Sequence, residues 1–183
     1  MGDRTRFLAT TLIVALVTPA SAMPARAVDS TASSSSAAVH VNELAAGSTG
    51  FVELVNDSTA TVDLSGWALG GCTRGVAAPL AVLPAGLSLD PGAFLLVVGS
   101  SFGGTVTTHM VVPRIDGSGV TLRDMGGNLV DAVDSLTESD CVRGRPAPVC
   151  VSGSTARDAT SDDTLDNARD FACRSRTPGA RNN

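Results

Sequence analysis

Phe51-Val-Glu-Leu-Val55 and Ala93-Phe-Leu-Leu-Val-Val98 enclose two further segments, Val62-Asp-Leu-Ser-Gly-Trp-Ala-Leu69 and the turn-rich Leu83-Pro-Ala-Gly-Leu-Ser-Leu-Asp-Pro-Gly92. Branched and aromatic side chains suit a pleated, half-buried surface, and Gly, Pro, Asn, Asp and Ser clusters suit the turns between such surfaces. Their alternation argues for an all-β sandwich or barrel. Outward from this stretch the same rhythm predicts strands over 39–44, 51–56, 67–70, 80–83, 94–98, 107–112, 120–123 and 129–133, with helical periodicity nearly absent.

Turn chemistry agrees. Asn56-Asp57-Ser58 follows a strand pattern and reads as a turn whose side chains bond the backbone, although it also matches the N-x-S glycan acceptor. Asp124-Met-Gly-Gly-Asn128 lies between two apolar runs and reads as a hairpin, since adjacent glycines supply positive φ angles. Trp67 is the only tryptophan and there is no tyrosine. A sole indole in this setting is expected to pin a sandwich core rather than to stack on sugar.

Arg4 and Arg6 precede an apolar run, Phe7 to Val17, too short to span a bilayer, which is the layout of a secretory signal. The expected cut follows Ala27, giving a signal over residues 1–27; cutting after Ala22 is the alternative and would leave Pro24 second. Residues 28–38, rich in serine, are expected to form a flexible leader, with one domain over 39–183. No cysteine precedes Cys72, so no lipoprotein site is expected, and no later apolar stretch is long enough for a membrane anchor to be expected.

Removing residues 1–27 takes three of the 13 arginines and one of the 18 acidic residues, leaving a net charge of −7 without a single lysine. Nucleic acid is therefore an unfavoured partner, because its binding draws on clustered cations. All four cysteines, Cys72, Cys141, Cys150 and Cys173, fall in the exported part and read as two disulfides. Three pairings are open. Loop-closure entropy favours the near pair, Cys141 with Cys150, which leaves Cys72 with Cys173.

Gly99-Ser100-Ser101-Phe102-Gly103 matches G-x-S-x-G, but the β-branched Thr105-Val-Thr-Thr108 is not the helix a nucleophile elbow feeds, and no acid stands between it and His109. No catalytic residue is assigned. His40 and His109 need no role beyond a solvated or hydrogen-bonded strand position. Asp158, Asp162, Asp163 and Asp166 are dense enough to be calcium candidates outside the cell, though without EF-hand spacing, and turn capping is the favoured use. The Cys141 to Cys150 segment, if closed by a disulfide and stiffened by its prolines, would offer Arg143 to a trypsin-like protease. Glu43 and Glu53 lie on strands among apolar neighbours and are expected to be buried hydrogen-bond acceptors.

Seven motifs then occur in order: Asn42-Glu43; Val52-Glu53-Leu54-Val55-Asn56; Val62 to Leu69; Leu83 to Gly92; Leu122 to Asp131; Asp166-Asn167-Ala-Arg-Asp170-Phe171; and Thr177-Pro178-Gly179 with Asn182. Together they resemble the bacterial lamin-tail domain family over nearly all of residues 39–182. Val55, where that family often has an aromatic residue, and the four cysteines are departures. The resemblance implies an immunoglobulin-like β-sandwich, exported alone or as an accessory module, often beside nucleases or other hydrolases, and it carries no catalytic residues.

The resulting expectation is a secreted, non-enzymatic interaction or cell-envelope-associated module for an unknown extracellular protein or polysaccharide, its oligomeric state open. The alternatives are a calcium-stabilised carbohydrate-binding accessory domain and a disulfide-loop serine protease inhibitor.

Overall fold

The alternating runs form twelve strands in the computed structural model, which describes residues 37–106 and 109–183. The expected signal, nearly all of the expected leader and the start of the strand expected at 107–112 lie outside the described residues. The strands are β1 (Val39–Ala45), β2 (Phe51–Asn56), β3 (Val62–Asp63), β4 (Ala68–Thr73), β5 (Val76–Val82), β6 (Ser88–Leu89), β7 (Phe94–Gly99), β8 (His109–Val112), β9 (Gly119–Arg123), β10 (Leu129–Asp134), β11 (Ser154–Ala156) and β12 (Ala172–Arg174). One helical turn, α1 (Asn167–Asp170), is capped by the Asp166 side chain.

One sheet runs β12-β11-β1-β2-β7-β8 and the other β10-β9-β4-β5, with β3 and β6 forming a separate two-stranded ladder. Pairing is antiparallel except between β7 and β8. Val41, Leu44, Val52, Leu54, Leu95 and Val97 from the first sheet meet Leu69, Val120, Leu122 and Val133 from the second in the main core. The chain is a two-layer β-sandwich.

A bulge in β1 decides what the first sheet shows on its outer side. The β1–β2 register shifts between Val41 and Glu43, so Asn42 is the extra residue. Val39 and Val41 face the core before it, Leu44 after it, and the parity change puts Glu43 on the outer face opposite Glu53. Phe51, Leu96 and Val98 share that outer face and form a second apolar cluster with Phe94 and Phe102. Every residue of β1 and β2 is buried. Over β1 and β2 the outer face is therefore covered too, whereas Val111 of the edge strand β8, level with Val98, is exposed.

Asn56, fully buried, donates to the carbonyls of Ala60 and Leu89 and accepts from Ser58, which is the expected turn and leaves no amide for a glycan. The β9–β10 hairpin closes as expected, with Asp124 accepting from the backbone and side chain of Asn128. Those bonds hold the Asp124 carboxyl below the usual range. Trp67 is half-buried and packs at the margin of the main core.

The strand expected at 80–83 begins earlier, at Val76. Thr73-Arg74-Gly75-Val76 forms a hairpin turn with positive φ at both central residues (53° and 78°), the primed geometry that suits twisted strands. A Cβ on Gly75 would collide with the Glu138 carbonyl oxygen. That crowding reflects how closely the 138–141 segment is laid against the turn, with Asp140 N donating to Gly75 O at 2.8 Å.

This contact explains the disulfides, which differ from the expected pairing. Cys72 is bonded to Cys141, and Cys150 to Cys173. Residues 141–150 run from the end of the second sheet to β11 in the first, so the near pair sits at opposite ends of a crossing. Loop-closure entropy acts on the unfolded chain; native geometry selects the partners. Cys72–Cys141 closes a separation of 69 residues and Cys150–Cys173 one of 23. Chain entropy alone makes loss of the longer link costlier by ~1 kcal/mol. Denaturant unfolding of the Cys72→Ala/Cys141→Ala variant is expected to show the larger stability loss of the two pairwise deletions.

Candidate functional site

β11 is only three residues long and runs out beside the bulge of β1, pairing Glu43 with Ala156 and Leu44 with Thr155. Side chains then replace the missing strand. Asp131 accepts from Val41 N at 2.9 Å, and Arg157 Nε donates to Val41 O at 2.8 Å. The β9–β10 register also shifts between Leu129 and Asp131, which sets Asp131 opposite the core residue Leu122 and turns it toward the first sheet.

Asp131 and Arg157 are both fully buried and paired, with Arg157 Nη2 3.1 Å from Asp131 Oδ2. Arg157 also donates through Nη1 to Asp162 O, stands 3.6 Å from Asp163 and 3.3 Å from Asp170, and lies 4.4 Å above the Phe171 ring. Arg143 approaches Asp131 at 3.2 Å and Asp163 at 3.4 Å and donates to Val130 O. Buried charges persist when paired and hydrogen-bonded in this way.

The aspartates expected as calcium candidates are divided among these duties. Asp158 accepts from Thr160 N and Oγ1, which holds its carboxyl below the ordinary range. The exposed Asp162 contributes its backbone carbonyl to Arg157, and Asp163 stands between Arg143 and Arg157. Asp166 caps α1 and takes the Arg145 guanidinium, the main cause of its lowered pKa. The grouping with metal-ligand proximity among the described residues is instead Cys72, Asp134 and Cys141, and there both sulfurs are in a disulfide.

Arg143 does not sit in the disulfide-closed loop expected from the sequence. Cys141 and Cys150 do not close a loop around it, and its guanidinium is turned inward onto Asp131 because that buried carboxylate needs a second cation. It is not presented to a protease.

Glu43 and Glu53 form the second polar centre, on the outer face of the first sheet. Glu43 accepts from Ser154 Oγ, from Thr177 N at 3.1 Å and from Thr177 Oγ1 at 3.1 Å. Glu53 accepts from Asn42 Nδ2 at 2.7 Å and from Gly179 N. Asn182 bonds both the carbonyl and the side chain of Asn42, and Ser161 bonds the same side chain. Residues 175–183 are thus a strap laid over the two carboxylates. Burial, with the neighbouring Glu43 charge adding to it, pushes the Glu53 pKa up to about 7 against two hydrogen bonds that lower it.

His40 is buried, with Nε2 3.2 Å from Asp57 Oδ2 but angled away from a hydrogen bond, and Nδ1 3.3 Å from Ala37 O. The exposed His109 places Nδ1 3.1 Å from Val106 O. Ser100 Oγ donates to Pro113 O, and Ser101 N to Ser48 O, so the G-x-S-x-G stretch is a loop tied to its neighbours.

A family model of the lamin tail domain matches residues 32–137. The chain belongs to the lamin tail domain family. Domains of this family have an immunoglobulin-like fold and are generally non-enzymatic. The matched span ends before Cys141, so Arg157, both members of the second disulfide and the strap lie beyond it. No curated protein matches the chain.

Glu53 makes the stability of this lamin tail domain dependent on pH. Its folded pKa lies above the ordinary 4.5, so the folded state keeps a proton that the unfolded chain has released, and the contribution present at low pH is lost as pH rises through about 7. Glu53→Gln is expected to flatten the wild-type decline between those two values in urea titrations across pH. A decline of the same size in the variant would contradict the assignment.

Proposed function

We propose that this lamin tail domain is a secreted, non-enzymatic binding module that engages an extracellular or cell-envelope protein through the free edge and outer face of its four-stranded sheet. The observation that carries the reading is β5. Among the described residues it pairs with β4 alone, is exposed along most of its length, and has no charged residue from Val76 to Val82. Val76 is 61 % exposed and Val82 62 %. Beside it a hollow of about 320 Å³ is lined by Ala68, Gly70, Ala77, Pro79 and Val82, with Arg123 at its side.

An uncharged strand edge on an acidic protein is unusual, because edges are commonly protected by charge. Pro79 guards against indiscriminate pairing, since it withholds an N–H. Protein is favoured over polysaccharide because sugar platforms rely on exposed aromatics, whereas Trp67 is half-buried and there is no tyrosine. Two disulfides support an oxidising location. No helix among the described residues is long and apolar enough to cross a membrane.

Affinity capture from culture supernatant tests the proposal with wild-type domain and a Val76→Lys/Val82→Lys variant. The wild type is expected to retain a discrete protein that the variant loses, at unchanged thermal stability. Equal recovery by both, or substrate turnover by the purified domain, would contradict it.

A further inference from the structure

We propose that the Cys150–Cys173 disulfide is a thiol-exchange site, and that its opening by an external dithiol releases the C-terminal strap from Glu43 and Glu53. The two disulfides differ in access. Cys72 and Cys141 are fully buried, whereas Cys150 is half-buried and Cys173 exposed. Cys150 lines an open hollow of about 370 Å³ together with Ser152, Gly153, Thr155 and Arg176. Val149 and Val151, the residues on either side of it, are 70 % and 94 % exposed and form an apolar lip.

A thiolate entering this hollow attacks Cys150 Sγ, forming a mixed disulfide as Cys173 leaves with the electron pair as a thiolate. The second thiol of the reagent, deprotonated, then attacks its own sulfur in that mixed disulfide. Cys150 leaves as a thiolate, both cysteine sulfurs take up protons, and the dithiol departs as a disulfide having given up two electrons. The Arg176 guanidinium in the same hollow favours the thiolate forms.

The mechanical consequence follows from where the bond lies. Cys173 is the middle residue of β12, paired with Thr155 of β11, and the strap begins directly after this strand. Once the covalent link is cut, the strap is held by a three-residue ladder, by hydrogen bonds to Glu43, Glu53 and Asn42, and by exposed bonds from Arg176 to the Gly153 and Thr49 carbonyls and from Arg181 to the Ala159 carbonyl. So short an edge is marginal by itself. Cys72–Cys141 and the main core are untouched, and the sandwich stays folded while the paired carboxylates become accessible.

Graded dithiothreitol treatment of the exported protein, with alkylation, mass spectrometry and hydrogen exchange on the same samples, tests this. Cys150 and Cys173 are expected to be alkylated while Cys72 and Cys141 stay oxidised, and exchange at the Thr177 and Gly179 amides is expected to rise at least tenfold with β7 and β9 unchanged. A Cys150→Ser/Cys173→Ser variant is expected to show that exchange pattern without reductant. Simultaneous reduction of both disulfides, or opening of Cys150–Cys173 with unaltered exchange at Thr177 and Gly179 in either sample, would overturn the proposal.

Discussion

Asp131 faces the interior of the sandwich from the second sheet, fully buried, and such a carboxylate is tolerated only when cations and donors meet it. Arg157 arrives from the end of β11 to do so, and in the same position it satisfies the carbonyl of Val41, which β11 is too short to reach. One ion pair therefore joins both sheets and the C-terminal segment. Asp163, Asp170, Arg143 and the Phe171 ring are arranged around it, and the course of residues 157–171 is largely the course needed to balance Arg157.

Polar residues that a sequence offers as possible chemistry are consumed in this way. The dense aspartates are counter-charges and caps, Arg143 is a second cation for Asp131, and the two glutamates hold down the strap. Among the described residues the uncharged edge of β5 and the apolar lip around Cys150 are exposed apolar surfaces. The proposed binding role rests on the first of them.

Runs rich in Val, Leu and Phe between turn residues made β1, β2, β7, β9 and β10 legible, although β1, β2 and β7 are buried on both faces and do not alternate, and the turns at Asn56 and Asp124 were legible from side chains that bond their own backbone. The burial of Glu43 and Glu53 was legible from their apolar neighbours. β5 was half-missed because a strand exposed on both faces has no alternation to read, and its Arg-Gly turn lacks the usual Asn-Gly signal. β11 and β12 are too short for any period. The cystine pairing was illegible because chain separation does not say which sheet a residue reaches. Arg157 had a signal: the aspartates that follow it balance a buried cation, although the same pattern resembles a metal loop.

A double-mutant cycle on Asp131→Ala and Arg157→Met, read by denaturant unfolding, tests the central claim most directly. Either single change removes the nearest counter-charge of a buried group, leaving Asp131 to Arg143 or Arg157 to Asp163 and Asp170, and is predicted to cost up to roughly 3–5 kcal/mol, while the double variant is predicted to cost clearly less than the two singles added together. Additive losses would mean that the pair does not act as a unit and that the sandwich is held by its apolar core alone.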